Sequence, residues 1–313
     1  AMQMGKQKMI LLTGPTAVGK TELSIALAKK YNGEIISADS MQVYRHMDIG
    51  TAKIRPEEMQ SVPHYLIDCL EPDEEFHVMR FQQMAKEALK NIYAAGHLPI
   101  IVGGTGFYIQ ALLYDISFGE EDGAAKTREK WEQYAKERGV DALHEELQKV
   151  DPKSAEKIHK NNVKRVVRAL QFYEDFGKKI SEHNEQEMQK TSPYDFRYFV
   201  LTNDRAVLYD RINRRVDQMI EDGLVEEVRR LKEMGYTKEL VSMQGLGYKE
   251  ILAYLDGQTT LNEAVAILKR DTRHFAKRQL TWFKRERDVI WLDKQIYPDT
   301  NALLAQIDTY LTE

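Results

Sequence analysis

The sequence predicts an α/β fold: a P-loop core built on a doubly wound, mostly parallel sheet, carrying an all-helical insertion domain. Three observations predict it. The apolar run Met9-Ile10-Leu11-Leu12 leads into Gly14-Pro15-Thr16-Ala17-Val18-Gly19-Lys20-Thr21, which opens a helical pattern through Leu23, Ile25, Ala26, Leu27 and Ala28. Short apolar runs then alternate with helical patterns, as parallel strands buried on both faces require. From Lys126 to about Glu187 the strands stop and only helical patterns remain.

Gly-x4-Gly-Lys-Thr between a strand and a helix is the P-loop arrangement. Its glycines let backbone N–H groups turn inward, and the helix behind them adds the positive end of its dipole. Lys20 can reach a phosphate, and the Thr21 hydroxyl can take one position on Mg²⁺. Residues Gly14 to Thr21 are therefore expected to grip a polyphosphate, a diphosphate or a nucleotide such as ATP. The loop alone leaves open which molecule carries the phosphates.

After the first helix, Tyr31-Asn32-Gly33 makes a stop and Glu34-Ile35-Ile36-Ser37-Ala38 reads as a second strand. It delivers Asp39-Ser40-Met41-Gln42 at its carboxyl end, where open parallel sheets collect ligands. Val43 to Lys53 is polar and reads as an ordered loop. His64-Tyr65-Leu66-Ile67-Asp68 reads as a short third strand, Val78 to Ala95 as an amphipathic helix with a Gly96 stop. Leu98 to Val102 is a fourth strand, closed by Gly103-Gly104-Thr105-Gly106.

Gly119-Glu120-Glu121-Asp122-Gly123 reads as an acidic linker into the insertion, where Asp151-Pro152 marks a helix start. Phe196 to Leu201 returns the chain to the sheet. Helices are expected at about 205–220, 223–234, 248–255 and 261–287, then a last strand Val289-Ile290-Trp291-Leu292 and a terminal helix. The expected domains are a core of residues 1–114 and 195–313 and an insertion of residues 115–194.

At 313 residues there is ample material for a core. No stretch approaches the roughly 18 apolar residues of a membrane helix, and no signal-peptide pattern opens the chain. Cys69 is the single cysteine, so no internal disulfide or cysteine-built zinc site can form. A soluble, cytoplasmic protein is expected, with no membrane partner. The net charge of −4 hides two basic tracts. Lys153 to Lys179 holds eight Lys/Arg against three acidic residues, and Ala264 to Arg287 holds eight against two.

Each candidate has a plain structural reading beside the functional one. Asp39 can be a base in the cleft or only a turn residue. Asp68 can be a Mg²⁺-holding aspartate at a strand end, or an ordinary loop residue after a short strand. Thr105 can be the N-cap of the next helix, or a hydroxyl that the glycine turn brings close to substrate. Basic helix faces are often only solvated surface, but two such tracts in an acidic protein favour a phosphate backbone as partner. The eight histidines show no ligand spacing.

Taken together these residues resemble the bacterial tRNA dimethylallyltransferases, also called tRNA isopentenyltransferases. The resemblance is carried by Gly14 to Thr21, by Ser37-Ala38-Asp39-Ser40-Met41-Gln42-Val43-Tyr44, and by Met47-Asp48-Ile49-Gly50-Thr51-Ala52-Lys53. It continues in Gly103-Gly104-Thr105-Gly106-Phe107-Tyr108, Lys164-Arg165-Val166-Val167-Arg168-Ala169-Leu170, Gly245-Leu246-Gly247-Tyr248-Lys249 and Arg278-Gln279-Leu280-Thr281-Trp282-Phe283. It spans most of the chain and is weakest over the linker and first insertion helix.

The resemblance implies transfer of a dimethylallyl group from dimethylallyl diphosphate to N6 of adenosine 37 in tRNA, with Mg²⁺ as cofactor. It implies Asp39, Thr105, Lys20 and Arg215 at the reaction centre, Arg215 from the Arg211-x-x-x-Arg215 helix. It implies tRNA contacts at Asp39, Ser40, Met41, Gln42, Thr105, Arg128, Lys164, Arg165, Val166, Val167, Arg168, Gln244, Gly245, Gly247, Tyr248 and Lys249. The partner would be the anticodon stem-loop and the enzyme a monomer. The single cysteine could not build the zinc finger that eukaryotic relatives append. Rival readings are a P-loop kinase of a small metabolite or nucleoside, and an RNA-binding NTPase that uses hydrolysis as a switch. Neither has an evident need of two basic tracts with an all-helical insertion.

Overall fold

The computed structural model describes residues 5–117 and 125–312, so the acidic Gly119–Gly123 linker lies outside the described residues. The chain divides into two compact units. One comprises the residues up to Leu112 and from Pro193 onward; the other is Leu113–Ser192.

The first unit is built on a sheet whose six strands, among the described residues, all run parallel. They are β1 Gln7–Thr13, β2 Gly33–Ser37, β3 His64–Tyr65, β4 Leu98–Gly103, β5 Tyr194–Thr202 and β6 Val289–Asp293. Their order is β3-β2-β4-β1-β5-β6. The inner strands are apolar without alternation because helices cover both faces. Ile10, Leu12, Ile35, Ile100, Phe199 and Leu201 lie in one core with Leu23 and Leu27.

The connecting helices are α1 Lys20–Tyr31, α2 Val78–Ala94 and α3 Gly106–Leu113. The insertion follows, with α4 Ala125–Arg138, α5 Val140–Val150, α6 Pro152–Lys157, α7 Val163–Phe176 and α8 Ile180–Met188. Back in the first unit come α9 Arg205–Glu221, α10 Leu224–Glu233, α11 Tyr248–Leu255, α12 Leu261–Arg285 and α13 Thr300–Leu311.

The third strand is shorter than the sequence suggests. It ends at Tyr65 because Leu66 and Asp68 take φ of 66° and 55°, a left-handed backbone that leaves the extended path. From there the chain pairs with the 42–43 backbone instead, through Asp68 N to Gln42 O and Cys69 N to Val43 O.

The second unit has its own core of Leu143, Leu147, Ile158, Val166, Val167, Leu170 and Phe172. Asp151 caps α6 as Asp-Pro foretells, and it is buried at 1 % exposure. Its carboxylate also accepts from the Ser154 and Ser181 hydroxyls at 2.7 and 2.6 Å, tying α8 to the start of α6. Burial pushes this carboxyl up, yet those hydrogen bonds prevail and hold it below the usual range.

Candidate active site

The carboxyl ends of β2, β4 and β1 lie side by side and release three loops into one cleft of about 510 Å³. β1 gives the P-loop, β2 gives Asp39, and β4 gives Gly104 and Thr105. The strands meet tightly there: a Cβ on Gly103 would lie 2.2 Å from Ala38 O, so only glycine lets β4 run this close to β2. Ala38 O also accepts from Thr105 N at 3.3 Å, which fixes the Thr105 turn to the residue before Asp39.

The P-loop is wrapped from both sides. Ala17 takes a left-handed φ of 67°, and its carbonyl accepts from Arg211 Nε at 2.9 Å. The next carbonyl, of Val18, accepts from Lys294 Nζ at 3.0 Å. Gly19 turns the chain into α1 with φ 103° and no side-chain cap, so the first N–H groups of α1 point to whatever anion the cleft receives. Lys20 Nζ donates to Gly14 O and Pro15 O at 2.8 and 2.9 Å.

Electrostatics set Lys20 and Asp39 apart from ordinary side chains. Burial and the nearby Arg215 guanidinium lower Lys20 to about 7, against the opposing pull of Asp39. Burial raises Asp39 above the usual carboxylate range, opposed by N–H bonds from Met41 and Gln42 and by the charges of Lys20 and Lys53. Those bonds run from Met41 N and Gln42 N to Asp39 Oδ1, at 2.7 and 3.0 Å. Asp39 thus is a turn residue as well, and the turn aims its carboxylate. Burial and Arg211 together lower Arg215.

The remaining wall is apolar. Ile212, Val216 and Met219 from α9, with Leu268 and Phe275 from α12, line the same cleft, and Arg215 of α9 stands among them. Gln279 of α12 also enters it, bridging Thr16 N and Gly104 O at 2.8 and 3.2 Å. The same helix presses Trp282 on Gly106, where a Cβ would lie 2.2 Å from the indole. Gln279 is a site residue to which the sequence reading assigns no role, although it lies inside the Arg278–Phe283 stretch.

The cleft gathers Thr16, Ala17, Gly19, Lys20, Thr21, Asp39, Ser40, Met41, Gln42, Thr105 and Arg215, together with Gln244, Gly245 and Gly247. Met41 packs on Gly245, whose missing Cβ would lie 2.6 Å from the methionine Cε. Gln42 is spent internally, on Ser37 Oγ and Thr51 O.

Three of the expected tRNA contacts have buried side chains. Tyr248 is 0 % exposed, and its hydroxyl donates to Glu227 at 2.7 Å. Val166 and Val167 point into the core of the second unit. Their side chains pack against neighbours, whereas Lys164, Arg165 and Lys249 are exposed. Arg128 is exposed on α4, beside Glu132. Arg168 is half-buried and lines a separate cavity of about 310 Å³ in the second unit, with Arg165 and Lys157. Asp68 matches the plainer of its two readings: its carboxylate bonds Lys53 Nζ, and it is not among the residues that line the cleft with Thr21.

A family model described as IPP transferase matches residues 42–286. The chain belongs to the IPP transferase family. A tRNA dimethylallyltransferase of Lachnoclostridium phytofermentans is 60 % identical over 98 % of both chains, and one of Acetivibrio thermocellus is 51 % identical over 97 % of both. Among solved structures, the tRNA isopentenylpyrophosphate transferase of Bacillus halodurans is similar at 46 % identity, covering 97 % of this chain and 98 % of that one with TM-score 0.72. A eukaryotic dimethylallyltransferase acting on tRNA superposes with TM-score 0.83 at 34 % identity, covering 92 % of this chain and 74 % of that one. The IPP transferase fold is therefore a P-loop sheet with a helical insertion in this chain as well.

Proposed function

We propose that this IPP transferase is a tRNA dimethylallyltransferase that moves a dimethylallyl group from dimethylallyl diphosphate to N6 of adenosine 37. The observation that carries the reading is the make-up of one cleft. A phosphate-gripping loop, a raised carboxylate and an apolar wall of Ile212, Val216, Met219, Leu268 and Phe275 line the same space. A phosphate loop suits a diphosphate, and an apolar wall suits the hydrocarbon joined to it.

The allylic carbon–oxygen bond breaks as the N6–carbon bond forms, and the electron pair of the broken bond leaves on the diphosphate. The loop N–H groups, Lys20 and Arg215 stabilise that charge. An adenine amine is a poor nucleophile because its lone pair is drawn into the ring. Asp39 accepts its proton and orients it. Thr105, fixed to the Ala38 carbonyl, adds a hydroxyl beside the same centre. The base reaches the cleft only when extruded from its stack.

Among the described residues no cluster of three His, Cys, Asp or Glu could cage a metal. Thr21 offers a single hydroxyl in the cleft, which fits Mg²⁺, an ion usually held by few protein oxygens together with substrate phosphates. When bound, Mg²⁺ supplies neutralising charge to the diphosphate.

The exposed Lys164 and Arg165, with Arg128 and Lys249, would meet the anticodon stem-loop by its backbone. No helix among the described residues is long and apolar enough to cross a membrane. A tRNA substrate fits work in the cytoplasm, and a cleft built from one chain fits a monomer. Incubation with labelled dimethylallyl diphosphate and unmodified tRNA, beside γ-labelled ATP alone, tests the reading. Prenylated tRNA with no ATP hydrolysis is expected. Hydrolysis of ATP with no prenyl transfer would move the protein to the kinase or switch class.

A further inference from the structure

A loop of this spacing elsewhere accepts nucleoside triphosphates, its lysine reaching the β- and γ-phosphates. In this chain one end of the loop is closed. Pro15 has no N–H, so Thr16 is the first residue after Gly14 with a donor to give. That donor is spent inside the protein, on Gln279 Oε1 at 2.8 Å. Val18 N turns back as well, onto Pro15 O at 3.3 Å.

The carboxamide is wedged at its other end. Gln279 Nε2 donates to Gly104 O at 3.2 Å, and a Cβ on Gly104 would lie 2.3 Å from that nitrogen and 3.0 Å from Gly14 O. Gln279 is 7 % exposed. A buried amide bonded at both ends resists displacement, because an intruder leaves both partners unmet. A phosphoryl group arriving at the Thr16 end meets an acceptor oxygen and a spent N–H. At the Thr21 end it meets the uncapped start of α1.

We infer that Gln279 is a specificity-determining residue: its carboxamide closes the Thr16 end of the loop, limits the bound chain to two phosphoryl groups and so selects diphosphates over triphosphates. The inference rests on the diphosphate reading above.

The test uses the full chain with Mg²⁺ and two inorganic probes, pyrophosphate and tripolyphosphate, titrated by calorimetry. Wild-type protein should bind pyrophosphate at least tenfold more tightly than tripolyphosphate. Gln279→Ala removes the wedge and frees Thr16 N–H, and the preference should fall by roughly tenfold, about 1.4 kcal/mol. Gln279→Met keeps the length and packing without the acceptor, so it decides the matter should the alanine variant fail to fold. A preference unchanged in the variants, or equal weakening of both probes, overturns the inference while leaving the diphosphate reading intact. Failure of pyrophosphate to bind the wild type overturns that reading and the inference with it.

Discussion

Tyr248 and Glu227 form a buried pair whose carboxylate carries a loop. The tyrosine hydroxyl donates to Glu227 Oε2 at 2.7 Å, and the same carboxylate accepts from Asp48 N at 2.9 Å, Ile49 N at 2.9 Å and Gly50 N at 3.2 Å. Gly50 lies against the phenol ring, where a Cβ would be 2.6 Å from the tyrosine Cζ. One acid on α10 thus orders the loop that lines the cleft at Gly50, Thr51 and Ala52.

Glu227→Gln should destabilise the protein by about 2 kcal/mol, because an amide nitrogen then faces backbone donors and leaves them unmet. Tyr248→Phe, which leaves Glu227 its backbone partners, should cost about 1 kcal/mol. Urea unfolding of the two variants measures the difference. Equal effects would mean that the tyrosine, and not the carboxylate, holds the loop.

Asp39→Asn keeps an oxygen for Met41 N and Gln42 N but removes the base. Turnover should fall roughly 10²- to 10⁴-fold, the usual worth of a positioned base, with tRNA affinity nearly unchanged. Single-turnover rates at saturating tRNA, beside binding titrations, separate the two. Near-normal turnover would remove Asp39 from the chemistry.

The pH profile of kcat/KM for the allylic diphosphate should be bell-shaped. Asp39 acts ionised, and burial raises it, so activity should be lost as pH falls through a value above the ordinary carboxylate range. Lys20 acts protonated and is lowered to about 7, so activity should fall as pH rises through that region in the free enzyme. Bound diphosphate adds negative charge and should shift the alkaline limb of kcat upward. An alkaline limb in the same place for both parameters would separate Lys20 from the donor.

Lys164 and Arg165 are exposed on α7. Replacing both with glutamine should weaken tRNA binding and flatten its salt dependence by about 1.5 on the log–log scale, taking one phosphate contact per side chain at roughly 0.7 to 0.9 each. Stability should barely move, since neither side chain is in the core. Filter binding across a salt series gives the slope, and an unchanged slope would leave this face merely solvated.

Gly103→Ala tests the β2–β4 approach. A methyl 2.2 Å from Ala38 O must push backbone, not a flexible side chain. A loss of about 1–3 kcal/mol is expected, with turnover falling as Asp39 and Thr105 shift. Full stability by thermal unfolding would contradict the contact.

What could be read from residues alone was the local part. The P-loop, Asp39 at the end of β2 and Thr105 at the end of β4 are legible because each follows its strand directly, and parallel sheets gather such ends. The third strand stops short of its apolar pattern: residues 66 and 67 look extended, while the left-handed turns at Leu66 and Asp68 have no glycine to announce them. Long-range polar pairing left no local trace. Gln279 meets Thr16 across 263 positions, and Glu227 meets Ile49 across 178. Tyr248 and the two valines of α7 sit in basic or glycine-rich stretches that suggest a surface, yet they point inward.

The close approach of Ala38 to Gly103 makes β4 a ruler. The phosphate grip hangs from β1 and the base from β2, with β4 alone between them. Adjacent strands lie about 4.8 Å apart, so the strands that carry the two loops stand about 9.6 Å apart across the sheet. That gap belongs to backbone hydrogen bonding and not to any side chain. Substitutions in the cleft can retune how firmly phosphates or hydrocarbon are held, but the spacing between the roots of the two loops is a lattice constant of the sheet.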